Sequence, residues 1–360
     1  MRLLVWQWGR RGAGPRYAME LAAALRGAPG VTPLLSLSRQ AEIVRSGLAT
    51  CEMPVDTYGS LAGWALRLAS LPFAAPALAR RLRALRLDAA LCAMPGPLDL
   101  LMAAALRRAG VPFAVTVHDA DPHPGDMLPL QAAFQRLLLR RAGALVALSG
   151  HVAQRLQAQG AVAGRPLLAG ALSPFAFGPP PAPPRSHGGK LRLLSFGRLQ
   201  PYKGLDLLAE ALARVGPAGI EARVVGAGPE SPALDALRRL PGVTVENRWA
   251  PEAELGALLA WADALVLSHR EASQSGVAAA AIAARRWVVA TRVGGLVEQL
   301  GHEPLARLCE PDAGSLAAAI GSLLSDPPPA AEAPPDAFPH AAIRLAHQIG
   351  MAFDVPGGLA

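Results

Sequence analysis

The stretch LVLSHREASQSGVAAAAIAARRWVVATRVGGLVEQ, residues 265–299, decides the predicted fold of this chain. It begins with an apolar run that ends at Leu267 and continues through the polar loop 268–275. A small-residue helix then starts at Gly276, and a second apolar run covers 287–290. Short apolar strands that alternate with helices are typical of a parallel α/β sheet. Ligands of such sheets bind beyond the carboxyl ends of the strands, where the polar loop would lie.

The polar loop combines one acid with the start of a helix. Glu271 is its only acid, and a carboxylate can hold hydroxyl groups. The N–H groups at a helix N-terminus can bind an anion such as phosphate. The loop therefore predicts a nucleotide-sugar pocket. Its predicted donor-binding residues are Ser273, Gln274, Ser275, Gly276 and Val277.

These residues resemble the donor site of glycosyltransferase family 4, retaining sugar transferases with two Rossmann-like domains that face each other across a cleft (the GT-B fold). The family pattern is a Glu, seven residues, a second Glu, a small-residue helix, an apolar strand and a Gly-Gly loop. The chain matches this pattern at Glu271 and at Gly294-Gly295, but Ala279 occupies the position of the second Glu. In the family, that Glu holds the nucleotide's ribose. The replacement of this Glu by Ala279 therefore affects the predicted contacts with the ribose.

The composition indicates a globular protein with a core of small aliphatic residues. Of the 360 residues, 52% are hydrophobic but only 5% are aromatic, and the length suits two domains. The formal net charge is +8, and every cationic residue except Lys190 and Lys203 is an arginine. The sequence contains no cluster of basic residues with interleaved aromatic residues, which would indicate a nucleic-acid-binding surface. We therefore expect no nucleic-acid partner. The charge is better suited to phosphorylated substrates or an anionic membrane surface.

Cysteine usage and hydropathy predict a soluble cytoplasmic protein. Cys51, Cys92 and Cys309 lack metal-ligand spacing, which fits a reducing compartment. The first apolar run is too short for a signal peptide, and the longest charge-free window ends in a proline cluster, so no transmembrane helix is expected. A peripheral position on the inner face of the membrane is a further hypothesis.

A proline-rich segment divides the chain into comparable halves. We predict a Rossmann-like acceptor-side domain at 1–172, a linker at 173–189 and a Rossmann-like donor domain at 190–339. The resemblance implies that a final helix, 340–353, packs back on the first domain.

The first half offers a glycine loop and a histidine. Gly12 and Gly14 lie between the first strand and its helix, and either close approach to a ligand or a tight turn explains them. His118 follows an apolar strand directly, and family members carry a matching His-Asp and often a later His-Pro-Gly, here residues 123–125. We therefore predict His118 to be an active-site residue. Asp119 and Asp121 could suggest a metal, but the flanking prolines make that geometry doubtful and none is predicted.

Residues 61–87 combine many leucines with five arginines. We predict a pair of surface helices split at Pro72 and Pro76. A basic amphipathic surface for anionic lipid is the alternative.

The second half opens with a strand and a loop. This loop resembles the family's diphosphate-binding motif, which is a Gly-Arg pair followed by a Lys-Gly pair. Arg198 and Lys203 occupy this motif, and the ammonium group of Lys203 is a point charge that suits a diphosphate oxygen. The other residues of this half that we assign to the donor are Gly197, the glycine turn Gly226 and Gly228, and Arg248, which lies where family members line the base.

The resemblance implies transfer of a glycosyl unit from a nucleotide-diphosphate sugar to an acceptor hydroxyl, with retention and without a metal or other cofactor. Arg198, Lys203 and the helix N–H groups would stabilise the departing diphosphate. Glu271 would hold sugar hydroxyls, and His118 would approach the sugar from the facing domain. The implied acceptor is a saccharide or lipid-linked saccharide in polysaccharide or glycolipid biosynthesis.

Two alternatives remain open. A sugar-nucleotide epimerase of similar fold would need further acids and histidines in the cleft. A nucleotide-sugar-binding or scaffold protein without turnover is supported directly by Ala279 alone.

Overall fold

The computed structural model describes residues 1–96, 98–121, 129–328 and 337–355, which form parts of two compact units. The first unit comprises Met1–Pro122, Met127–Ser173 and Ala337–Ala360, and the second comprises His123–Asp126 and Pro174–Asp336. The predicted His-Pro-Gly motif at 123–125 lies outside the described residues.

The first unit is built on a six-stranded parallel sheet with the strand order β2-β1-β3-β4-β5-β6. Its inner strands β3, β4 and β5 are buried at every position, as expected where helices cover both faces of a parallel sheet. The elements are β1 (Arg2–Gln7), α1 (Ala13–Arg26), β2 (Thr32–Leu37), α2 (Glu42–Arg45), α3 (Leu61–Ala69), α4 (Leu71–Ala84), β3 (Ala89–Cys92), α5 (Asp99–Ala109), β4 (Phe113–Val117), α6 (Pro129–Arg141), β5 (Ala144–Ala147), α7 (Gly150–Ala158) and β6 (Leu167–Ala169).

The second unit has the same architecture, with the strand order β12-β11-β10-β7-β8-β9. The stretch 265–299 supplies β10 and β11 near the middle of this sheet, and both strands are fully buried. The elements are β7 (Leu191–Phe196), a 3-10 turn (Pro201–Lys203), α8 (Leu205–Val215), β8 (Ile220–Gly226), α9 (Pro232–Arg239), β9 (Val243–Asn247), α10 (Glu252–Trp261), β10 (Ala264–Leu267), α11 (Gly276–Ala283), β11 (Trp287–Thr291), α12 (Gly295–Leu300), β12 (Ala306–Cys309) and α13 (Ala313–Ser325).

The last helix, α14 (Phe338–Ala352), belongs to the first unit. It packs against α1 and β6. The Phe338 ring lies 6.2 Å from that of Tyr17, and the backbone N–H of Ala169 donates to Gln348 Oε1 at 2.9 Å. The helix α14 therefore contributes to the core of the first unit.

The break between α3 and α4 corrects one prediction. We expected a split at Pro72 and Pro76, but the helices part at Ser70 and α4 continues through Pro76. Pro72 lies in the first turn of α4, where no intrahelical partner exists for a backbone N–H. No helix among the described residues is both long and apolar enough to cross a bilayer.

The segment before β7 is fixed to the second unit by one buried carboxylate. Asp263 is 2% exposed and accepts hydrogen bonds from the backbone N–H groups of Arg185 (2.6 Å) and Arg192 (2.8 Å). Its Oδ2 also lies 2.9 Å from His187 Nε2. A buried carboxylate is tolerated only when it is hydrogen-bonded in this way.

Candidate functional site

The strand order of the second unit creates a crevice between β7 and β10. The chain proceeds from β7 to β8 and β9 on one side, then returns to place β10 on the other side of β7. At such a reversal the loops that follow the two strands leave in opposite directions and open a site at the carboxyl edge of the sheet. The loops in question are 197–204 after β7 and 268–275 after β10.

These two loops are held together by hydrogen bonds to backbone carbonyl groups. Ser268 Oγ donates to the carbonyl of Lys203 at 2.8 Å, and the N–H of Arg270 donates to the carbonyl of Tyr202 at 2.8 Å. Gly204 has φ +62°, and a Cβ at this position would lie 2.0 Å from the Ser268 carbonyl oxygen. Only glycine fits, because the position requires both a left-handed backbone and close approach.

Two cations border a small pocket between the loops. Lys203 Nζ lies 2.7 Å from Nε2 of the buried His269, and Arg198 Nη2 donates to the Tyr202 hydroxyl at 3.1 Å. Arg198, Lys203, His269 and Val277 all line this pocket, and no Asp or Glu is among its described lining residues. The electrostatics therefore suit an anion, because the two charged side chains that line the pocket, Arg198 and Lys203, are both cations.

The start of α11 borders the same pocket and is held in place from α12. Ser275 Oγ accepts the N–H of Ala278 at 3.3 Å. Gln299 binds the Ser275 backbone at both ends: its Oε1 accepts the N–H at 2.9 Å and its Nε2 donates to the carbonyl at 3.0 Å. The N–H groups of Gly276 and Val277 lie in the first turn, where no acceptor exists within the helix. They are placed to bind an anionic oxygen.

The glycine turn at the end of β8 packs against the loop 197–204, which carries Arg198. A Cβ on Gly226 would lie 1.6 Å from the Gly197 carbonyl oxygen, and one on Gly228 would lie 2.0 Å from that of Leu199. The side chain of Asn247 brackets Gly228, since Oδ1 accepts its N–H at 3.0 Å and Nδ2 donates to its carbonyl at 3.1 Å. In this structure the two glycines support the loop that carries Arg198.

The remaining residues of the 268–275 loop differ in exposure. Glu271 is exposed, Ser273 is buried, and Gln274 is half-buried. Gln274 Oε1 is enclosed without a hydrogen bond from the part of the chain that is described. Ala279, at the position of the family's second Glu, is 4% exposed and lies one turn from Ser275 on α11.

Arg248 is not among the residues that line the pocket. Its guanidinium binds Glu246 Oε2 at 2.6 Å and Glu254 Oε2 at 2.8 Å. These two carboxylates, Glu254 first, raise the pKa of Arg248. The contact predicted between Arg248 and the donor base stays a prediction.

In the first unit, the glycine loop after β1 encloses a glutamine. The N–H of Gly9 donates to Oε1 of the buried Gln7 at 2.8 Å, and a Cβ on Gly14 would lie 2.6 Å from Gln7 Nε2. Gly12 has φ +84° and no heavy atom within 4 Å of its Cβ position. Close packing against Gln7 therefore accounts for a glycine at position 14, whereas the left-handed backbone conformation accounts for a glycine at position 12.

His118 directly follows β4 at the same carboxyl edge of the first sheet. Its Nε2 lies 3.0 Å from Asp119 Oδ2, and its Nδ1 is enclosed without a hydrogen-bond partner among the described residues. Asp121, the other acid of this loop, instead accepts from Arg155 Nε at 2.8 Å and from Gln159 Nε2 at 2.6 Å. The hydrogen bond from Arg155 lowers the pKa of Asp121.

Asp99 is a buried acid near this edge that sequence reasoning missed. It is 1% exposed and accepts from the N–H of Gly96 (2.6 Å), from Trp6 Nε1 (3.1 Å) and from Cys92 Sγ (3.3 Å). Burial raises its pKa from 3.8 to about 6, although these hydrogen bonds oppose the shift. The folded state therefore favours the protonated form.

We expect Asp99 to make the first unit less stable as the pH rises. A folded pKa above the unfolded one adds stability that is complete below the unfolded pKa of 3.8 and is lost as the pH rises through about 6. Over this window the loss should be on the order of 3 kcal/mol. Urea unfolding at several pH values should show that Asp99→Asn removes this part of the pH dependence. An identical pH dependence in both proteins would contradict the prediction.

Two six-stranded parallel sheets with flanking helices define a protein of two Rossmann-like domains, the GT-B class. Family models match both halves of the chain. Residues 12–168 match the model described as "Glycosyl transferase 4-like domain", and residues 190–326 match "Glycosyl transferases group 1". The chain belongs to the family-4-like glycosyltransferases of GT-B fold, which confirms the resemblance.

Solved structures share the fold at low sequence identity. Sucrose-phosphate synthase from Thermosynechococcus elongatus is 15% identical with a TM-score of 0.67, covering 98% of this chain and 94% of that one. Anabaena HepE in complex with UDP and glucose is 20% identical with a TM-score of 0.66, at 98% and 97% coverage. A Listeria monocytogenes protein described as a UDP-N-acetylglucosamine 2-epimerase is 12% identical with a TM-score of 0.62, at 100% and 98% coverage. A separate comparison with curated proteins found no match to this chain.

Proposed function

We propose that this glycosyltransferase moves a sugar from a nucleotide-diphosphate sugar to an acceptor hydroxyl, with retention at the anomeric carbon and without a metal ion. The observation that carries the proposal is the pocket of the second unit. There Arg198, Lys203 and the first turn of α11 border one pocket. Such fixed positive groups favour the negative charge that develops on a departing diphosphate.

In the proposed reaction, the bond from the anomeric carbon to the donor phosphate breaks as the bond to the acceptor oxygen forms. The acceptor proton passes to an oxygen of the leaving phosphate, so no enzyme nucleophile is required. Glu271 holds hydroxyls of the donor sugar, and His118 approaches the sugar. The acceptor is a saccharide or lipid-linked saccharide of polysaccharide or glycolipid biosynthesis.

Nucleotide binding is the first test. Thermal unfolding is followed with UDP, GDP, ADP and dTDP, and with their sugars, in the presence of a chelator. Ligand at about a hundred times its dissociation constant should stabilise the fold by roughly 2.7 kcal/mol. HepE, whose structure holds UDP and glucose, makes UDP the first ligand to try. We expect one base to shift the transition and Lys203→Ala to remove that shift. No shift with any of these ligands would contradict the donor assignment.

The alternatives are separated by product analysis. Ala279 is the observation behind the alternative of a nucleotide-sugar-binding or scaffold protein, and the Listeria protein described as an epimerase has a similar fold, which keeps an epimerase as the other alternative. Nuclear magnetic resonance of a donor mixture with candidate acceptors distinguishes all three. Transfer yields a new glycosidic signal, epimerisation yields an altered nucleotide sugar without acceptor, and a scaffold yields neither despite a thermal shift.

A further inference from the structure

One face of the first unit is covered by four neighbouring helices, α3 to α6, which we name the arginine face. α4 packs against α3 and α5, and α5 packs against α6. The Trp64 ring of α3 lies 6.4 Å from the Phe134 ring of α6, so the two ends of this layer also meet. The four helices thus form one continuous surface layer.

This layer is almost free of acids. The four helices contain nine arginines, all exposed, and one acid, Asp99, which is buried. None of the nine forms an ion pair with a carboxylate in the described structure; Arg67 and Arg83 bind backbone carbonyls instead. Solvated protein surfaces usually intersperse both signs of charge. A surface with cations only favours a partner that carries many negative charges.

The same face exposes large apolar side chains beside the cations. Phe73 is 81% exposed and Leu66 is 72% exposed, and they flank the turn at Ser70 between α3 and α4. Along α4, Phe73, Ala77 and Arg80 are all exposed and spaced by about one turn each, so they share one side of the helix. The exposed apolar side chain near the start of α4 is therefore followed, on the same side of the helix, by a cationic side chain.

We propose that the arginine face docks on a bilayer surface that contains anionic phospholipid, with Phe73 and Leu66 entering the headgroup region. The charge is complementary to such a leaflet, and exposed apolar residues next to arginines are the pattern of surfaces that lie in the interface. Nucleic acid would satisfy the charge but offers nothing to Leu66, which neither stacks on a base nor donates a hydrogen bond. The inference goes beyond the proposed transfer reaction and does not depend on it.

Co-sedimentation with vesicles tests the proposal on the full-length chain. We expect binding to vesicles of phosphatidylcholine mixed with phosphatidylglycerol, no binding to phosphatidylcholine alone, and weaker binding as salt rises. The double variant Arg80→Glu, Arg81→Glu should reduce the partition coefficient at least about tenfold. Phe73→Ser should reduce it roughly tenfold through the lost apolar insertion.

Matched controls carry the same chemical changes elsewhere. Arg239→Glu with Arg285→Glu makes the same charge change at exposed sites of the second unit, and Met351→Ser removes an apolar side chain that is 71% exposed. Both controls should bind like the unchanged protein. Absence of vesicle binding, equal losses in the controls, or a preference for an oligonucleotide over the vesicles would overturn the proposal. Nucleotide-dependent thermal shifts, measured in parallel, report on the transfer site separately.

Discussion

Replacing Lys203 with alanine is expected to lower kcat/KM for sugar transfer by about two to three orders of magnitude. Lys203 is half-buried, its Nζ is held 2.7 Å from His269 Nε2, and it lines the pocket together with Arg198. A charge in such a setting is weakly screened, so its loss removes stabilisation from the developing diphosphate charge. The measurement is steady-state kinetics with the donor that the thermal shifts identify.

A surface arginine supplies the control for this variant. Arg239 is an exposed cation of the second unit on α9 without an ion pair in the described structure, and Arg239→Ala should leave kcat/KM unchanged. Lys203→Arg should recover part of the loss, because it restores the charge but not the compact ammonium geometry. Activity of Lys203→Ala within a few-fold of the unchanged protein would rule out a diphosphate contact at this position.

Gly226→Ala is expected to destabilise the second unit by roughly 3 kcal/mol or more and to abolish nucleotide binding. The new Cβ would lie 1.6 Å from the Gly197 carbonyl oxygen. No rotamer change can relieve this contact, because the position of a Cβ is fixed by its own backbone and the oxygen belongs to the backbone of the neighbouring loop. The loop that carries Arg198 must therefore move or the end of β8 must distort. Urea denaturation followed by circular dichroism, together with nucleotide thermal shifts, measures both effects.

Gly321 provides a matched glycine. It lies inside α13 with no heavy atom within 4 Å of its Cβ position, so an added methyl group meets open space. Gly321→Ala should stabilise the fold by about 0.5 to 1 kcal/mol, because alanine loses less backbone entropy in a helix. If Gly226→Ala were as stable as Gly321→Ala, the close approach of the two loops would be wrong.

The candidate site could be predicted in pieces but not assembled from the sequence. Arg198, Lys203 and the 273–277 segment were recognised from motifs on separate loops, and the structure places members of both loops around one pocket. His269, Tyr202 and Gln299 were missed. His269 lies two residues before Glu271 and two residues after the end of the buried strand β10, which is a signal that could have been used. No comparable sequence signal pointed to Gln299, because it contacts Ser275 only where α12 packs beside α11.

The sequence by itself determined the alternation of strands and helices, the Pro-rich segment between the halves and the loops that carry glycines and cations. These features are local, because hydrophobic period and turn residues act over a few positions. Only the tertiary structure decided that Lys203 meets His269, that Gly226 approaches Gly197, and that Asp99 is buried beside Trp6. Each of these contacts joins residues on different elements. A sequence pattern reports which face of an element is buried but not which distant atom covers it.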